Sequence, residues 1–196
     1  MVFDLDDFGM DFVISDMTQS KDCRDALEVL KQSNPKLKVT LFTIPFYVTD
    51  EIKDWLLINS NWVQLAWHGF YHESNYECEK MTYAEFDKLM TDFKHLGPFF
   101  VRGFKAPGWQ ISDDIYRWLL DNDFWVADQS YNNHRRPGGL PAYVNHDGVF
   151  KVGDKEIEAW HGHTWNCVGN GIYETLDELL IKFKDVKEFK LITEVL

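Results

Sequence analysis

Two histidines four residues apart, His68 and His72, stand in the segment W-H-G-F-Y-H. If the chain turns helically there, positions i and i+4 bring both imidazoles to one face, within reach of one metal ion. Gly69 between them lets the backbone turn sharply. Two imidazoles need at least one more protein ligand, and a carboxylate completes a two-His, one-carboxylate set with positions left for water. The acidic start of the chain, F-D-L-D-D-F-G, offers Asp7 as that ligand and leaves Asp6 as a base toward the water. Such a site suits hydrolysis. Taken alone, Asp4, Asp6 and Asp7 would read as a solvated acidic terminus. A second placement stays open: residues 10–16 as the first strand, with Asp16 as ligand and Ser15 in the place of the base.

These residues need elements to bring them together, and the pattern supplies strands alternating with helices. Residues 2–5, 38–43, 62–67, 99–104, 124–127, 156–160 and 189–192 read as short apolar strands. Helices are expected over 20–32, after Thr49 with Ile52, Trp55 and Leu56 inward, after a capping box at Thr82 and Glu85, after Ser112, and after a second box at Thr175 and Glu178. This alternation implies an α/β fold with a mostly parallel sheet in one domain spanning 1–196. An open doubly wound sheet and a closed barrel both fit. Residues 129–145, containing R-R-P-G-G, read as a loop on the functional face.

Chemically capable residues recur where strands end. Asp6 and Asp7 follow the first, His68 follows W-V-Q-L-A-W, Lys105 follows F-V-R-G-F, Asp128 follows W-V-A, and His161 and His163 follow E-I-E-A-W. Parallel α/β folds bind ligands outside the carboxyl ends of their strands. His161 and His163 point the same way in an extended strand, so both can line one pocket. Trp67, Trp109, Trp160 and Trp165 lie near the expected site and could stack on a sugar ring.

Composition narrows the partners. The 196 residues carry a formal net charge of −12, which argues against nucleic acid and against an anionic membrane surface. No apolar stretch approaches the ~18 residues of a membrane span. Cys23, Cys78 and Cys167 are odd in number, widely spaced and without a C-x-x-C pair, so neither a disulfide framework nor a thiolate zinc knuckle is expected. The start of the chain lacks the basic and apolar regions of a signal peptide, which predicts a cytoplasmic setting. Release by another route, such as lysis, stays open.

In motif order the chain resembles the polysaccharide deacetylases, the nodulation-deacetylase-like carbohydrate esterases of family 4. F-D-L-D-D-F-G stands where the family has T-F-D-D-G, K-V-T-L-F-T-I-P where it has A-T-F-F-V, and H-G-F-Y-H where it has H-[ST]-x-x-H. The family's R-x-P-x-G turn corresponds to Lys105, Ala106, Pro107, Gly108 and Trp109. Asp128 matches a later Asp, and Trp160-His161 the final L-x-H, with His163 two residues on. The resemblance implies a deformed (β/α) barrel of about seven strands and a divalent metal, most often zinc, on Asp7, His68 and His72. It implies Asp6 as general base, His161 or His163 as general acid, and Lys105, Trp109 and Asp128 around the substrate. It also implies hydrolysis of an acetamide or related bond in a carbohydrate or small N-acetylated substrate. The chain departs from the pattern at Lys105, which keeps the family's charge but loses the arginine fork. Beside the deacetylase stand two other readings: a same-fold hydrolase of a ureide or formamide, and a non-catalytic carbohydrate-binding protein.

Overall fold

The computed structural model describes all residues except 10, 11, 15, 16, 20, 21 and 166–168, with backbone alone for 12–14 and 17–19. Ser15, Asp16 and Cys167 therefore lie outside the described residues. The strands are β1 (Val2–Phe8), β2 (Phe12–Ile14), β3 (Met17–Gln19), β4 (Val39–Thr43), β5 (Val63–His68), β6 (Phe100–Lys105), β7 (Trp125–Gln129), β8 (Ala142–His146), β9 (Val149–Val152), β10 (Lys155–Ile157) and β11 (Ala159–His163). The helices are α1 (Arg24–Ser33), α2 (Asp50–Asn59), α3 (Tyr83–Asp92), α4 (Asp113–Asp121) and α5 (Ile172–Phe183).

One nine-stranded sheet runs in the order β10-β9-β8-β7-β6-β5-β4-β1-β11 and curls into a nearly closed barrel. From β8 to β11 every neighbouring pair is parallel, a run of seven strands. β9 and β10 extend it antiparallel. The parallel strands are buried on both faces because helices cover one side and the barrel's own interior the other. Every residue of β1, β4 and β5 is buried.

The two faces divide by alternation. Phe3, Leu5, Leu41, Leu65, Trp67, Phe104 and Val126 belong to the large core between sheet and helices. Val2, Phe42, Ala66, Trp125, Ala127, Tyr143 and Phe150 fill the barrel's inside. The interior is tight at Gly103: a Cβ there would enter the ring of Trp125 at Cε2 and Cζ2. Gly103→Ala is therefore expected to cost about 1–3 kcal/mol by overpacking, read from denaturant unfolding. An unchanged midpoint would show that the ring moves aside.

Several boundaries differ from the sequence expectation. Thr49, Thr82 and Ser112 do cap helices. Thr175, however, lies inside α5, which starts after Gly171, and its hydroxyl donates to the Gly171 carbonyl at 2.8 Å. Residues 189–192 form no strand; only an isolated bridge pairs Lys190 with Val2. Instead Ile192 enters the inner core and its N–H donates to Thr40, while Thr193 donates to Gln64. This segment plugs the barrel end opposite the strand carboxyl termini. Residues 129–145 are not one loop, since β8 begins at Ala142 and a short 3-10 turn covers Ser130–Asn132. No helix among the described residues is long and apolar enough to cross a membrane.

Candidate active site

β1 delivers three carboxylates to the interior. Asp4 and Asp6 share the inward face, beside His161 and His163 in the register with β11. A regular strand would turn Asp7 outward. Here Asp7 takes φ 69°, and the β1–β4 register breaks between Leu5 and Phe8. That irregularity brings the consecutive Asp6 and Asp7 carboxylates to the same rim, a re-aiming for which strand bulges are suited.

The end of β5 supplies the imidazoles. His68 points inward, two residues beyond Ala66 on the same face. The chain then turns through left-handed conformations at Gly69 (φ 57°) and His72 (φ 53°), so the turn is not the helix expected from the i, i+4 spacing. The result is the same convergence: His68 Nε2 lies 3.3 Å and His72 Nε2 3.0 Å from Asp7 Oδ1. All three donor atoms lie within 4.8 Å of one another.

The protonation pattern fits a cation. His68 Nδ1 is 3.0 Å from the Lys105 backbone oxygen, which can only accept, so Nδ1 holds the proton. His68 Nε2 is then the ring nitrogen turned toward Asp7 Oδ1, the atom that would bind a cation placed between them. The second oxygen, Asp7 Oδ2, accepts from the Trp165 indole N–H at 2.6 Å. This leaves Oδ1 as the oxygen aimed between the histidines. Asp7, His68 and His72 could hold one divalent ion.

Beside this triad lies a buried charge network. The Lys105 ammonium is 2.7 Å from Asp6 Oδ1 and 2.6 Å from Oδ2, and 3.4 Å from His161 Nε2. It also stands 3.7 Å from the centre of the Trp109 ring and 4.9 Å from that of Phe42. Burial opposes ionisation of Asp6 more than any single neighbour favours it. Lys105, followed by His161, His68 and His163, together outweigh burial and lower its pKa to about 2. On the far side, His161 Nδ1 donates to Asp4 Oδ1 at 2.6 Å, which fixes its tautomer and ring plane. Tyr143 donates to Asp4 Oδ2 at 3.2 Å. Burial first, and Asp4 second, push the Tyr143 phenol far above its ordinary value, so it remains a neutral donor. His163 rests on Asn170 Oδ1 at 3.2 Å, and burial holds its pKa below the usual histidine range.

The structure thus gathers Asp6, Asp7, His68, His72, Lys105, Trp109, His161 and His163 at one barrel rim. Asp128 lies outside this group. It falls on the Val126 face of β7, toward the helices, and accepts from Tyr116, Asn132 and Arg136 at 2.7, 2.9 and 3.2 Å. Its link to the site is indirect, since Asn132 also donates to the Trp109 carbonyl. Alternation likewise sends Trp67 and Trp160 away from their neighbours His68 and His161. Trp67 packs on Phe100 and Trp160 on Phe3, so neither reaches the site, whereas Trp109 and Trp165 do.

Two contributors escaped the sequence reading. Asp4 was legible in principle, two residues before Asp6 and so on the same strand face. Glu77 had no local signal. Glu77 accepts from the N–H groups of Phe70, Tyr71 and His72 at 3.1, 2.9 and 3.3 Å.

The sequence matches no family model and no curated protein. Structural neighbours across the full chain are family-4 polysaccharide deacetylases and acetyl xylan esterases, at low sequence identity. The fold is similar to that of a chitin deacetylase from the fungal pathogen Colletotrichum lindemuthianum (TM-score 0.58, 12% identity, 100% of this chain and 86% of that one). It is equally similar to a family-4 acetyl xylan esterase from Clostridium thermocellum, solved with a cobalt ion (0.58, 14%, 98% and 89%). A family-4 pseudoenzyme from Bacillus anthracis shares the fold as well (0.54, 13%, 98% and 63%). The expectation of a deformed barrel is met.

Proposed function

We propose that this chain is a divalent-metal-dependent hydrolase that removes acetyl groups from N-acetylated sugars or glycans. The observation that carries the reading is the convergence of Asp7, His68 and His72 within 4.8 Å, directly beside the Asp6–Lys105–His161–Asp4 network. Asp7 Oδ1, His68 Nε2 and His72 Nε2 would hold the ion, for which we propose zinc. When bound, such an ion supplies Lewis-acid chemistry, polarising a carbonyl and making water more acidic.

The remaining work falls to the chain. Lys105 keeps Asp6 ionised, ready to accept a proton from the attacking water. Asp4 holds His161 with Nδ1 protonated, so Nε2 is the atom that carries a proton to the leaving amine. His163, kept neutral by burial, lines the pocket rather than acting as the acid. Trp109 and Trp165 flank the rim, and Phe46 and Tyr131 stand 58% and 55% exposed on the segments after β4 and β7. These aromatic faces suit a sugar ring.

A non-catalytic reading has one observation in its favour. Lys105 engages both oxygens of Asp6 at close range, and so low a pKa lessens the driving force for proton abstraction. The experiment that separates the two readings measures metal content and acetate released from N-acetylglucosamine oligomers. About one ion per chain, with acetate release that stops on chelation and returns with zinc or cobalt, supports the deacetylase. Metal without acetate moves the binding protein ahead, and absence of metal removes the reading.

A further inference from the structure

We propose that Glu77 is the positioning residue of the metal centre, acting through the 69–72 turn on His72. The inference rests on the metal reading of Asp7, His68 and His72. His72 is the hardest of the three ligands to place. Asp7 and His68 sit at strand ends, whereas His72 lies four residues into a connection, at a left-handed φ of 53° that a residue with a side chain adopts at a cost.

Something must hold that turn. Three successive amide groups, of Phe70, Tyr71 and His72, point their N–H bonds into one concavity, the kind of backbone nest that binds an anion. The anion is built in: Glu77 Oε2 accepts from Phe70 and His72, and Oε1 from Tyr71. Bonds from a carboxylate to backbone N–H are roughly twice as strong as neutral ones, and here three act together. Phe70, fully buried against Phe86 and Phe93, fixes the turn from below.

The same geometry accounts for Gly69, where the resembled family carries Ser or Thr. A Cβ at position 69 would collide with Glu77 Oε2 and approach Pro107 Cγ to 2.8 Å. A side chain at 69 would displace the Glu77 carboxylate from its present place under the turn. The chain has the carboxylate, and the acceptor for the turn comes from outside the motif.

The test uses the full chain, stripped with chelator and titrated with zinc and with cobalt by calorimetry. Glu77→Gln keeps the side chain's shape but puts an NH2 group among donors. It is expected to weaken metal binding ~10–100-fold, the range in which loss of a partner that orients a ligand falls. The cobalt absorption spectrum should change with it, because His72 no longer arrives in one geometry. Glu79→Gln, an exposed neighbour that removes the same charge, is expected to leave affinity within about twofold of the parent.

Amide exchange on the metal-free proteins is the second measurement. Faster exchange at 70–72 in Glu77→Gln, with β1 and β5 unchanged, supports the proposal, and so does affinity loss confined to Glu77→Gln. Equal loss in both variants would assign the effect to charge and overturn it. Unchanged exchange at 70–72 overturns it even if the parent chain binds no metal, a result that would separately end the metal reading.

Discussion

Asp6→Asn is expected to bind metal as the parent does and to lose ~10²–10⁴-fold in acetate release, the usual worth of a positioned acid or base. Asp7→Asn is expected to do the opposite first, binding metal so weakly that no stoichiometric ion survives dialysis. The contrast follows from geometry. Asp7 Oδ1 points between His68 and His72, while Asp6 faces the Lys105 ammonium and belongs to no part of that triad. An amide at position 7 removes the only carboxylate of the proposed ligand set. Its loss should exceed the ~10–100-fold cost of losing an outer partner. The Asp6→Asn chain keeps a side-chain oxygen for the Lys105 ammonium, which also still meets the faces of Trp109 and Phe42, so it is expected to stay folded. Metal analysis and acetate release on both variants settle the point. Parent-like turnover in Asp6→Asn would remove it as the base, and metal retained by Asp7→Asn would return attention to Asp16.

That last outcome matters because the sequence left two placements of the first motif. Asp6 and Asp7 come together through a broken register and a left-handed φ at Asp7, and neither can be read from residue order. Strand ends, in contrast, were legible. His68, Lys105 and His161 appear at the rim because parallel strands end where their apolar runs stop. Which residues on a strand face inward was also legible in principle. Applying the alternation strictly would have admitted Asp4 and turned Trp67, Asp128 and Trp160 outward. What sequence could not carry is contact between distant segments. The indole of Trp165 meets Asp7 across 158 residues of chain, and the Tyr143 hydroxyl meets Asp4 across 139. The closing segment misled for a related reason. Residues 189–192 have strand-like composition, but β1 already pairs with β4 and β11, so they enter the barrel as a plug.

Lys105→Met should prove the most destabilising change in the charge network, lowering the unfolding free energy by about 3–5 kcal/mol. Lys105 is 1% exposed and Asp6 4%, so removing the ammonium leaves a desolvated carboxylate without its nearest counter-charge. The double variant Asp6→Asn/Lys105→Met removes both charges, and much of the loss should return, which a double-mutant cycle reads as coupling. The pH dependence distinguishes this account from simple loss of packing. In the metal-free parent, Asp6 titrates about 2 when folded against an ordinary 3.8. Its folded value is the lower, so its contribution is whole above 3.8 and is lost as the pH falls through 2. Without Lys105, burial loses its largest opponent and the folded value is expected to rise. The variant's penalty is then largest near neutrality and fades as Asp6 takes up its proton. The stability gap between the two chains should narrow as the pH is lowered from 7 toward 4, measured by denaturant unfolding with chelator present. A gap that stays constant with pH would mean that Lys105 stabilises the barrel through its methylene stem against Phe42 and Trp109, and not through its charge on Asp6.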